Sequence, residues 1–210
     1  MTILILIGTL LLPFDSAPLA GVETRLAQGK QAAADVDRET QRVAMDGWTA
    51  ARELAPKGGA VELLGPVNQR LRALDAIPGL PARYAEVAIR AAVSAAQEER
   101  EELGLLLAHA RDLSNQMELV GTPAQWPLPI DELGGELWLE VDRFAEAREA
   151  YERATKAHPT PNAWIGLARA SARLDDVVTA CRAYTTAAAA KNLPSSVELE
   201  ISLYALKCRY

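Results

Sequence analysis

Two cysteines and two histidines in 210 residues leave little room for metal or thiol chemistry. A disulfide-dense scaffold is excluded, and a zinc site, which takes about four ligands at fixed spacing, finds none here. His109 and His158 stand apart from each other and from both cysteines; each reads as a residue of a helix face or helix end. Aromatic residues supply only 5% of the chain, too few for a strand-rich core, whereas alanine, the best helix former, abounds. Positive charge is also scarce: 22 Lys and Arg face 28 Asp and Glu, a net charge of −6. That balance argues against a nucleic-acid partner, which needs a basic face to neutralise phosphates. No glycine-rich phosphate loop, nucleophile elbow or H-E-x-x-H helix occurs, so no cofactor is expected. The paired carboxylates Glu98/Glu99 and Glu101/Glu102 belong to EEREE, a solvated helical run with arginine, and not to an acid–base pair. With no nucleophile beside a base, the chain is expected not to be an enzyme; an enzyme without a recognisable motif is the reading with least support.

What is present begins with MTILILIGTLLLPFDSAPLAG. Residues Ile3 to Leu12 are a short apolar run, closed by Pro13 and followed by small residues to Ala20. Its length suits the core of a secretory signal and falls short of the roughly 20 residues that span a bilayer. No Lys or Arg precedes it, and Pro18 lies three positions before the end of a segment cut after Ala20. Residues 1–20 therefore read as a signal peptide of an exported, periplasmic protein. The alternatives are an uncleaved tail giving membrane association, or a buried first element.

Beyond it the pattern is helical. Val22, Leu26, Ala33, Val36 and Val43 set a helix from 22 to about 55, weakened by Gly29 and Gly47. Leu63, Leu64, Val67, Leu71 and Leu74 predict a second over 60–76, or one that begins at Pro66, which falls in its first turns. The stretch 82–118 is too long for one globular helix, and a turn is expected at 97–100. GTPAQWPLP, 121–129, holds three prolines and divides an N-terminal helical region, 21–120, from the rest. Trp126 within it reads either as a plug over the joint or as an exposed anchor for a partner. Further helices are expected at 131–141, 144–157, 161–174, 176–191 and 195–208. Thr160 before Pro161 makes a good helix start, and Ser195 with Glu198 fits a capping box.

The second half repeats itself. Gly135, Ala147, Tyr151 and Ala154 recur 33 residues later as Ala168, Ala180, Tyr184 and Ala187. With Pro159 at the break and Asp142 and Phe144 in the turn, 131–192 resembles two tetratricopeptide repeats. A weaker third copy carries Leu103, Leu107 and Ala110, 44 residues ahead of Ala147, Tyr151 and Ala154, with Ala91 as its small residue. The resemblance implies an all-α fold of antiparallel helix-pair repeats, a solenoid, closed by a C-terminal capping helix over 195–208. That last stretch also alternates like a strand. One departure is Asp131, standing where Trp164 lies in the next copy.

In that family the concave face is lined by the first helix of each repeat. Carried over, this implies Glu132, Glu136 and Glu140 from one repeat and Asn162, Ile165, Arg169 and Arg173 from the next. They read either as a peptide-reading surface or as inter-helix ion pairs such as Glu136 with Arg169. The lysine and asparagine pattern with which some members hold a C-terminal carboxylate is not evident. Within the same arrangement, Cys181, early in one helix, comes beside Cys208, late in the next; they are either a disulfide or two buried thiols. The function implied is a protein–protein scaffold or adaptor of the bacterial envelope, with a protein partner. The alternative is an accessory subunit docked to a membrane complex by residues 1–20.

Overall fold

The computed structural model describes residues 17–122 and 126–209, so the apolar run Ile3–Leu12 lies outside the described residues. The described chain is all-α, with nine α-helices and no strand among the described residues. These are α1 (Ala17–Arg52), α2 (Gly65–Asp75), α3 (Leu80–Ala96), α4 (Arg100–Leu119), α5 (Ile130–Glu140), α6 (Phe144–Ala157), α7 (Pro161–Arg173), α8 (Val177–Ala188) and α9 (Ser195–Ala205), with 3-10 turns at Ala55–Lys57, Val61–Leu63 and Lys207–Arg209. None of the described helices is long and apolar enough to cross a membrane.

The chain divides into two compact units, Met1–Arg38 and Glu39–Tyr210. In the first, residues 30–38 are exposed, including Ala33 and Val36, which the periodicity assigned to an apolar face. Local bonds join them instead, Gln31 to Asp35 at 3.0 Å and Arg38 to Asp35. In the second unit Val43, Ala44, Trp48 and Ala51 are buried, spaced by threes and fours on one face. Gly47 lies on that face because a Cβ there would come within 2.6 Å of the Ile89 side chain, so α1 and α3 cross closely.

The second unit is a helical repeat in which each helix from α2 to α9 packs on the next. First helices also pack on first helices, α3 on α5 and α5 on α7, the contact that turns separate hairpins into one stack. The small and aromatic positions that defined the repeat are all buried: Ala147, Tyr151 and Ala154, then Ala180, Tyr184 and Ala187, and in the weaker copy Leu103, Leu107 and Ala110. Ala91, Gly135 and Ala168 are buried opposite them.

The turns inside the hairpins are the same turn three times. Glu98, Asp142 and Asp175 take left-handed φ values of 59°, 60° and 58°. One residue on, the N–H groups of Glu99, Arg143 and Asp176 donate to the carbonyls of Ser94, Trp138 and Ser171 at 2.9, 2.8 and 3.0 Å. This six-to-one bond satisfies the orphan carbonyls of each first helix. The three turns are spaced by 44 and 33 residues, the spacings of the buried positions. The α3–α4 hairpin thus shares its turn with the other two, although the same closure also ends α4 at Gly121 and Thr122; its wider spacing is taken up by the proline-bearing segment before α5. A single cluster of buried side chains runs from Val43 to Val141, on both sides of that segment.

Left-handed backbone suits Asp better than Glu, whose side chain has no short local bond to offer. Glu98→Gly is expected to raise stability by about 1 kcal/mol, read as a shift of the urea midpoint. An unchanged midpoint would mean that the turn is not held in that conformation.

At the ends of helices the expectations divide. Thr160 caps α7, its Oγ1 accepting from the Ala163 N–H at 3.0 Å, with Pro161 next. The Ser195/Glu198 capping box does not form: Pro194 precedes the helix, and its carbonyl takes the N–H groups of Val197 and Glu198 at 2.9 and 3.0 Å. The second helix starts at Gly65, one residue before Pro66 and not at 60, because a 3-10 turn occupies Val61–Leu63. The stretch after Ser195 is helix and not strand. No residue of α9 is fully buried; Val197, Ile201 and Tyr204 are half-buried while Leu199, Leu203 and Leu206 are exposed.

Candidate functional site

A groove of about 470 Å3 opens on the first helices of the last two hairpins. From α5 it takes Glu132, Glu136 and Glu140, placed on one side by their four-residue spacing. From α7 it takes Asn162, Ile165 and Arg169. Six of the eight residues read from the sequence as partner-binding thus line one cavity. The other two do not. Arg173 bonds to Asp142 at 3.3 Å with its guanidinium 4.1 Å over the Phe144 ring. Trp126 is half-buried and packs on the core cluster. Both lie outside the groove because local partners hold them.

The groove also uses residues that the repeat did not single out. Arg52 comes from the last turn of α1, Val197 from α9, Leu139 from the end of α5 and Leu128 from the segment just before it. Tyr151 and Gly166 complete the floor. Arg52 carried no sequence signal, being 88 residues from its partner Glu140. The repeat did point to Tyr151, but as packing only. Its ring fills the space over two glycines: a Cβ on Gly135 would come within 2.6 Å of it, and one on Gly166 closer still.

Electrostatically the groove is a set of tethered pairs. Arg52 donates to Glu140 and reaches Glu136 Oε1 at 3.2 Å. Glu132, buried, accepts from the Thr160 hydroxyl at 2.9 Å, which joins the α7 cap to the α5 acid. Arg169 forks onto Glu200 of α9, with 2.6 and 2.9 Å bonds, and the Tyr184 hydroxyl donates to the same carboxylate at 2.5 Å. The expected Glu136–Arg169 pair therefore gives way to two others, because α1 and α9 bring in Arg52 and Glu200. Asp131, the departure from the repeat, sits between Arg111 and Arg153, each at 2.8 Å, and ties α4, α5 and α6 together. An aromatic ring at that position would leave both guanidinium groups without this partner.

Burial raises the Glu136 carboxyl above its ordinary value, Arg52 opposes it, and Glu140 and Glu132 add to it. The hydrogen bond from Arg169 holds Glu200 below its ordinary value, against a smaller upward push from burial. The signs for stability are opposite. Glu200 stabilises the fold above its unfolded value of about 4.5, and this is lost as pH falls through its lower folded value. For Glu136 the favourable contribution is present below about 4.5 and is lost as pH rises through its raised folded value. Glu200→Gln is accordingly expected to flatten the acid limb of a stability–pH curve. An acid limb of unchanged slope would show that Glu200 carries none of it.

The cysteines are bonded: Cys181 of α8 and Cys208 of the terminal 3-10 turn form a disulfide with Cα atoms 5.7 Å apart. The bond staples the end of the chain to α8, and the Tyr184 and Tyr204 rings join α8 to α9 with their centroids 4.9 Å apart. Among the described residues no group of three or more His, Cys, Asp or Glu is arranged to hold a metal ion. His109 and His158 are exposed, on α4 and at the end of α6. No known protein family, curated protein or solved structure matches this chain.

Proposed function

We propose that this chain is a non-enzymatic scaffold of tetratricopeptide type, acting in the bacterial cell envelope and holding a segment of a partner protein in the groove between α5 and α7. The single observation carrying the reading is the convergence of Glu132, Glu136, Glu140, Asn162, Ile165 and Arg169 on one cavity. Charged side chains from two helices, beside Leu128, Leu139, Ile165 and Val197, offer an extended peptide both register and a surface to bury against. The hairpin turn repeated three times supports the repeat family, since stacks of this kind offer their first helices as a concave surface. The Cys181–Cys208 bond supports an oxidising compartment, and so export.

Filling the groove tests this. Asn162 is exposed at its edge, so Asn162→Trp should leave the fold intact and block entry. The partner that co-purifies from native cells in fixed ratio with the wild type should fall about ten-fold or more with this variant. Lys156→Trp, at an exposed position of α6 outside the groove, should retain it. Equal recovery with both variants would move the binding surface elsewhere. The compartment is tested by intact mass: a mature chain lacking about the first twenty residues, with thiols that alkylate only after reduction, is the expected result. A full-length chain from the same cells would favour the docked accessory subunit.

A further inference from the structure

The groove offers few charged donors, and Asn162 adds only a neutral amide at its exposed edge. Its two arginines are already committed, Arg52 to Glu136 and Glu140 and Arg169 to Glu200. The acceptors are not used up. Glu136 has one 3.2 Å contact to Arg52, and Glu132, more than nine-tenths buried, meets a single hydroxyl at Thr160. A buried carboxylate oxygen without a donor is costly, and that cost is relieved when a ligand brings one.

The geometry points to a specific occupant: a lysine or arginine side chain of an extended peptide segment, its cationic head between Glu132 and Glu136. This rests on the groove reading above and deepens it. Three carboxylates at four-residue spacing, one of them tethered to the α7 cap, form the α5 wall of the groove. Leu139, Ile165 and Val197 supply an apolar surface for the methylene stem. A ligand carboxylate meets the opposite situation, since it would face three glutamates and find both guanidinium groups already bound.

Selection from a random peptide library, displayed on phage and panned against the full chain with its disulfide intact, reads the preference directly. The expected binders carry a basic residue at a common position. Each should lose about ten-fold or more in affinity for the Glu132→Gln/Glu136→Gln double variant. Asn162→Arg, which places a cation at the exposed edge, should weaken the same peptides even if the double variant fails to fold. Binders blocked by Asn162→Trp but without basic enrichment would overturn the cation preference and leave the groove reading standing. Binders insensitive to every groove substitution, or no binders at all, would overturn both.

Discussion

Tyr151→Ala is expected to cost about 3–5 kcal/mol. The ring is buried, fills the space over Gly135 and Gly166, and forms part of the groove floor. Removing it leaves a cavity between α5, α6 and α7 that two backbones cannot close. The reciprocal substitution isolates the cause. Alanine is favoured over glycine in a helix by about 1 kcal/mol, so Gly166→Ala would stabilise α7 if space allowed. Overlap with the rigid ring costs more, about 1–3 kcal/mol, and the net effect should be destabilising. In the double variant the two losses should not add, because the alanine methyl occupies part of the vacated space. Urea midpoints of the four proteins decide the matter. A Gly166→Ala chain as stable as wild type, or strict additivity, would show that Tyr151 does not sit where the repeat places it.

Loss of the disulfide should be the second large effect. Cys181 and Cys208 close a loop with a sequence separation of 27, for which chain-entropy reasoning gives about 3.5 kcal/mol. The consequence is local as well as global. Because α9 buries no residue completely, its hold on the stack rests on this bond, on Arg169 and Tyr184 gripping Glu200, and on the tilted contact of the Tyr184 and Tyr204 rings. Reduction, or Cys208→Ser, should therefore release amide protection in α9 well before α5–α8. With α9 gone, Arg169 and Tyr184 lose Glu200, and Val197 leaves the groove. Hydrogen exchange followed by mass spectrometry reads this directly. Uniform loss of protection across α5–α9 would indicate that the disulfide stabilises the whole stack without a special role at its end.

The repeat was legible because its chemistry is periodic. A small residue in one helix, then alanine, tyrosine and alanine in the next, leaves a trace at 33 residues whatever the surface does. The 44-residue copy was fainter because leucines replace the aromatic pattern and the Trp126 segment widens the spacing. The left-handed turns at Glu98, Asp142 and Asp175 add a feature that the three hairpins share, and only a backbone reveals them. On the groove, four-residue spacing placed Glu132, Glu136 and Glu140 together, since residues on one helix face need no tertiary information. Their partners did need it. Arg52 and Glu200 arrive from helices outside the two hairpins, so the ion pairs could not be read from helix spacing, and the Glu136–Arg169 pairing failed for that reason. The Ser195 capping box failed more locally, because Pro194 supplies the carbonyl that opens α9.

The central claim is that the α5–α7 groove holds a protein segment. A photoreactive residue at Asn162, activated in native cells, tests it most directly, with the same residue at Lys156 as the comparison. The account predicts a single discrete adduct from position 162, formed through a stretch of the partner that contains a lysine or arginine, and none from position 156. The same adducts from both positions, or none from position 162 while the partner still co-purifies, would contradict it.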